Sequence, residues 1–408
     1  MIKQKVLLFV HTFLIYLYNN KYMASKRKRI KVIDLFSGVG GLTFGFVYKK
    51  KGNSFVKNHD FEFAFANDFS FAAASAFSNN YKQIKMFNCP VQEINESFIK
   101  DKNIDISDVD LIIGGPPCQS FSTIGKRRND DRAKLYQEFQ RLLGIIKPKM
   151  FLFENVRGIL SFKTDEGLVI DKIENDFNKL GYTIYKKTLN AKDYGVPQNR
   201  MRVFIVGLRN DANLTWSFPE PISPNEISLL EAIDDMPPLT YGESSCDYLH
   251  LPDNPYQELM HNPDNILYDH TAGIYGERIR RIIESLDYGE SHNDINTKVE
   301  NHVLPNDLLL TSGYGNSYGR LLWDKPCPTI TNNFGTPSAI RCIHPEQNRA
   351  LTIREAARIQ SFPDWFTFYG TISEKRKQIG NAVPPLLSIS LANSIKKTLL
   401  GKEKSYER

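Results

Sequence analysis

Cysteine is scarce: five in 408 residues, at positions 89, 118, 246, 327 and 342, none in a Cys-x-x-Cys pair. So few, so scattered, argue against a disulfide framework and give no zinc spacing. A reducing, cytoplasmic setting is expected. Apolar runs of membrane-spanning length are also missing. Residues 6–18 form an apolar run of 13, broken by His11 and Thr12, too short for an ordinary span. The run follows Lys3 and Lys5 as in an export signal, but no small-x-small cleavage site comes after it. Met23-Ala24-Ser25 and the basic run 26–29 come instead, so Met23 is the expected start and residues 1–22 an upstream extension. No internal repeat or low-complexity segment is found, which excludes solenoids and biased linkers.

Neither sign of charge is scarce, and a net charge of +6 permits an acidic partner without requiring one. Its distribution says more. Residues 209–325 carry 20 acidic and 7 basic side chains, a balance of −13, which leaves +19 for the rest. Phosphate attraction would therefore come mainly from outside that stretch, apart from Arg278, Arg280 and Arg281.

Short apolar runs at 30–36, 63–67, 109–113, 150–153 and 203–207 read as buried strands. Helical spacing appears at 71–77 and at 135–146, the latter closed by Pro148. Alternation of this kind predicts an α/β fold, a doubly wound and mostly parallel sheet with ligands at the carboxyl ends of its strands. Residues 209–319 lose the pattern, apart from helical spacing near 278–286. It returns as helices at 351–360 and 386–400. The expected divisions are an N-terminal extension (1–29), a catalytic and cofactor-binding domain (30–208), a smaller irregular recognition region (209–319), a segment completing the catalytic domain (320–400) and a polar tail (401–408). Residues 49–59 read as an inserted surface loop.

DLFSGVGG (34–41) places glycines where a strand turns into a helix. Such turns admit a nucleotide-like ligand or are simply tight. Phe36 is an adenine platform or core; Asp68, after the second strand, holds ribose hydroxyls or caps a helix. GGPPCQSFS (114–122) is more specific, because two prolines stiffen the chain before a lone Cys118 beyond a strand end. A thiol of pKa ~8.5 is mostly neutral near pH 7, so a nucleophilic role needs positive charge or a base nearby. Glu154 ends the next strand and should reach the same sheet edge. Arg200 and Arg202 in QNRMR are either edge salt bridges or substrate contacts.

Together and in this order these segments resemble the cytosine-5 DNA methyltransferases of prokaryotic restriction-modification type. RLLWDKPCPTIT (320–331), REAARIQSFPDWF (354–366) and GNAVPP (380–385) extend the likeness across about residues 30–395, except for much of 209–319. The resemblance implies a Rossmann-like methyltransferase fold and S-adenosyl-L-methionine as methyl donor, with no metal. It places Phe36, Gly38, Gly40, Asp68, Phe69, Pro117, Asn381 and Val383 around that cofactor. Cys118 becomes the nucleophile, Glu154 the group holding the cytosine at N3, and Arg202, with Arg200 behind it, faces the base. Residues 119–132 become a loop over DNA, with Ser120, Ser122, Lys126, Arg127 and Arg128 as contacts. Tyr314 and Asn316 are the expected contacts from the recognition region. One departure stands out: Pro90-Val91 occupies the place of the family's usual Asp-Ile, so another group must read the adenine amino group.

The implied activity is site-specific transfer of a methyl group to C5 of a flipped-out cytosine in double-stranded DNA, by a monomer without membrane attachment. A restriction endonuclease acting on the same site, without a stable complex, is the implied companion. The rival readings are a cytosine-5 tRNA methyltransferase on the same catalytic domain and a catalytically silent DNA-binding regulator.

Overall fold

The computed structural model describes residues 29–117, 135–164, 167–222 and 226–401. Its centre is a seven-stranded sheet: β1 (Ile30–Leu35), β2 (Phe61–Asn67), β3 (Met86–Phe87), β4 (Leu111–Gly114), β5 (Met150–Val156), β6 (Tyr182–Asn190) and β7 (Met201–Arg209). The spatial order is β6-β7-β5-β4-β1-β2-β3. Strands β1 to β5 are parallel, and β7 runs antiparallel to both β5 and β6. The expected doubly wound, mostly parallel sheet is thus present. Chain progression reverses between β1 and β4, and a crevice opens at such a switch point.

Among the described residues there are eight helices of seven or more residues: α1 (Phe71–Asn80), α2 (Leu135–Ile146), α3 (Val169–Lys179), α4 (Glu277–Glu284), α5 (His292–Glu300), α6 (Ile353–Ile359), α7 (Ile372–Asn381) and α8 (Pro385–Leu400). Side chains alternate across the sheet. Ile33, Leu35, Ile112, Phe151 and Phe153 face one core, closed by Phe139 of α2 and Phe177 of α3. Val32, Ile113, Leu152 and Val206 face the other, closed by Leu387 and Leu391 of α8 and by Ala356 of α6. Thr352 with Glu355, and Thr371 with Glu374, form capping boxes that start α6 and α7.

Two strand-like features escape the apolar pattern. Residues 49–59, expected to be a loop, contain the strands Tyr48–Lys51 and Ser54–Lys57 paired as a hairpin, turned by Gly52 at φ 58° and Asn53. Strand β6 carries Lys186 and Lys187 at the sheet margin, where it pairs only with β7. Within 209–319 the packing divides. Leu229, Ile233, Tyr256 and Leu259 join the core beneath α6 and α8. Ile282, Ile283, Ile295, Val299, Leu308, Leu310 and Tyr318 enclose a third, small core together with Ile343.

Candidate active site

Register alone aligns the ends of β4 and β5. Gly114 at the end of β4 pairs with Phe153 of β5, so Glu154 stands beside the residues that follow β4. A Cβ placed on Gly115 would lie 3.0 Å from Glu154 Oε2. Asn155 Nδ2 donates to Pro116 O at 3.3 Å. Gly115 and Pro116 therefore lie beside the Glu154–Asn155 end of β5. Cys118, Ser120, Ser122, Lys126, Arg127 and Arg128 lie outside the described residues.

Glu154 is only 9% exposed. Arg202 Nε stands 3.2 Å from its Oε1. Burial pushes the carboxyl above its ordinary pKa, while Arg202 and then Arg200 pull it down. Arg202 therefore belongs to the site. Arg200, expected behind Arg202, is turned inward. It is fully buried, with Nη1 donating to Ile330 O at 2.8 Å and Nη2 to Gly380 O at 2.8 Å and Ala382 O at 3.0 Å. It is a positioning residue that ties three distant segments together behind Arg202.

At the end of β1 the backbone turns through Phe36 at φ 56° and Gly38 at φ 56°. A Cβ on Gly38 would meet nothing within 4 Å, so this face is open. Gly40 is different: a Cβ there would lie 2.3 Å from the Tyr81 ring, whose hydroxyl donates to Gly40 O at 2.7 Å. Its lack of a side chain makes room for the Tyr81 ring. Asp68 accepts from Gly38 N and from Ser70 N, each at 2.8 Å, which makes it a link between loop and helix start. Phe69, next to it, is 71% exposed. From the far end of the chain, Val383 O would be 2.4 Å from a Cβ on Gly41. Asn381 closes α7 on the surface nearby in sequence. An open glycine face and an uncovered aromatic at adjacent strand ends suit a nucleoside with a charged tail. Pro90 brings no acceptor side chain; Asn88 does, and its Nδ2 donates to Asp68 O at 3.0 Å.

Asp34 was not singled out by the motif reading, although a carboxylate inside an apolar strand was a signal. It is 1% exposed, accepts from Thr43 Oγ1, and its Oδ1 has no hydrogen-bond partner. Burial raises its pKa from 3.8 to about 7. Tyr314 and Asn316 are exposed on a loop pinned by Ser317 Oγ to Tyr314 O at 2.7 Å and by Ser291 Oγ to Gly315 O at 3.0 Å. Among the described residues, Asp234, His250 and Asp253 bring donor atoms within 4.8 Å of one another, away from the sheet edge in sequence and element. No helix of the described residues is long and apolar enough to cross a membrane.

The sequence profile of the C-5 cytosine-specific DNA methylases matches residues 30–397. The Type II methyltransferase M.DdeI of Desulfomicrobium norvegicum is 36% identical over 391 residues, spanning 90% of this chain and 88% of the relative. The Type II methyltransferase M1.HphI of Haemophilus parahaemolyticus is 31% identical, spanning 95% and 93%. A crystal structure described as a DNA modification methyltransferase encoded within a prophage (E. coli) superposes with a TM-score of 0.70 at 26% identity, covering 91% of this chain and 99% of that one.

Proposed function

The chain belongs to the family of C-5 cytosine-specific DNA methylases, and from that premise we propose that it methylates C5 of a cytosine extruded from duplex DNA at a specific sequence. The observation that carries this reading is the Glu154 carboxyl lying against Gly115, three residues before Cys118. C5 of cytosine is a poor nucleophile. Addition of the Cys118 thiolate to C6 pushes electron density to C5. Burial raises the Glu154 pKa, which favours its protonated form; in that form it gives a hydrogen bond and then its proton to N3, so no full negative charge builds there. Arg202 steadies that carboxyl. When bound, S-adenosylmethionine supplies the electrophilic methyl group. Loss of the C5 proton to a base and expulsion of the thiolate, with the N3 proton returning to Glu154, return the ring to aromaticity.

Phe36, Gly38, Asp68, Phe69, Pro117, Asn381 and Val383 would hold the methyl donor, with the amide oxygen of Asn88 accepting from the adenine amino group in place of Pro90. The loop bearing Tyr314 and Asn316 reads the sequence. Protection of host DNA against an endonuclease of the same specificity fits the Type II relatives. Bisulfite sequencing of DNA from cells expressing the chain should show one methylated sequence. Cys118→Ala should abolish the mark while duplex binding persists. Methyl transfer to tRNA with none to DNA, or an active Cys118→Ala protein, would defeat the proposal.

A further inference from the structure

Among the described residues, four shielded arginines are held by named partners. Arg200 and Arg320 donate to main-chain carbonyls, Arg349 pairs with Glu355, and Arg358 pairs with Asp235 and Asp364. Arg376 differs from them: the Arg200 Nε is also unpartnered, but Arg200 still donates through Nη1 and Nη2, whereas Arg376 makes no hydrogen bond or ion pair among the described residues. Its Nε is closed off from solvent without a hydrogen-bond partner. Its guanidinium lies over the Phe334 ring at 6.0 Å. A Cβ on Gly335 would stand 2.0 Å from its Nη2. The neighbouring cation, Lys375, is already paired with Asp269 at 2.6 Å, and Glu374 caps its own helix.

Position explains what such a cation is for. Arg376 and Gly380 are one turn apart on α7 and share a face. A Cβ on Gly380 would meet Asn332 N at 2.5 Å, so that face lies flush on residues 331–335. One end of this segment reaches the active site: Thr329 Oγ1 donates to Asn199 O at 2.8 Å, and Ile330 O accepts from Arg200. The other reaches the recognition loop: Tyr318 N donates to Pro337 O at 2.7 Å, and Ser338 lines a polar hollow with Arg278, Thr311, Ser312 and Gly313. Arg376 thus sits between the base-holding carboxyl and the loop expected to read DNA. Burying part of a guanidinium without a partner costs free energy that a bound anion would recover.

We propose that Arg376 grips a phosphodiester of the DNA backbone between the extruded cytosine and the recognition unit. This rests on duplex DNA being the substrate. Held down on Gly335 and Phe334, the side chain does not project as a groove-reading arginine must. A flush cation meets backbone, and its effect is independent of sequence.

The test is duplex binding followed by fluorescence anisotropy across a salt series, with one duplex carrying the methylated sequence and one lacking it. Arg376→Gln should raise Kd about tenfold on both duplexes. It should also lower the slope of log K against log salt by about 0.9, the share of one phosphate. Arg376→Lys should keep the slope. Gly335→Ala, which pushes the guanidinium off its seat, should weaken both duplexes with the charge still present. Calorimetric binding of S-adenosylmethionine should be unchanged in all three, as a check on folding. An unchanged slope in Arg376→Gln, or a loss confined to the methylated sequence, would overturn the assignment. A wild-type chain that neither binds nor methylates duplex DNA would instead overturn the underlying reading.

Discussion

Burial and two arginines act on the Glu154 carboxyl in opposite directions; burial is the larger, so its pKa lies above the ordinary value while Arg202 holds it in place. Glu154→Gln keeps the shape and a hydrogen-bond donor but has no proton to give. Single-turnover methylation should slow by roughly 10²–10⁴-fold with duplex affinity retained. An unaffected rate would remove Glu154 from the chemistry. Asp34 makes a pH-dependent contribution to stability. Its folded pKa of about 7 lies above the ordinary 3.8, so the folded chain holds an extra proton between those values. Stability from this group is full below that window and lost as pH rises through it. Asp34→Asn should therefore gain on the wild type as pH rises, by up to roughly 4 kcal/mol. Urea midpoints of both proteins on either side of the window check this; a constant difference would count against it.

At the scale of elements, the strands with unbroken apolar runs were legible, since burial on both faces leaves a simple pattern. Helix α3 was harder. Val169, Ile170, Ile173 and Phe177 make one buried stripe, but acidic and basic residues between them dilute it. The hairpin at 48–57 carried a Gly-Asn turn signal that its lysines obscured. Close contacts between remote elements left no mark at all. Gly45 looks like any loop glycine, yet a Cβ there would lie 2.3 Å from the Ser388 backbone in α8. Ser388 Oγ also accepts from Gly45 N at 3.0 Å. Gly45→Ala should destabilise by about 1–3 kcal/mol, because backbone cannot move aside as a side chain can. Thermal unfolding measures it, and a neutral result would mean that α8 shifts freely.

For the molecule as a whole, the two ends of the chain make one core. Val32, Phe44 and Phe46 pack in the same cluster as Ala356, Phe362, Leu387 and Leu391. A chain ending at residue 350 should lose cooperative melting, as followed by near-ultraviolet circular dichroism; a sharp transition in that fragment would show that the sheet folds without α6 to α8. The amino-acid sequence alone determined the five apolar strands and the family likeness, and singled out a thiol and a carboxyl, because these rest on local pattern and on side-chain chemistry. Only tertiary structure decided that Arg200 points inward, that Gly40 serves Tyr81, and that Arg376 lies unpaired between two sites. The physical reason is that a side chain's role is set by which groups compete for it. Some of those groups arrive from residues 343 positions away, at distances that no spacing along the chain encodes.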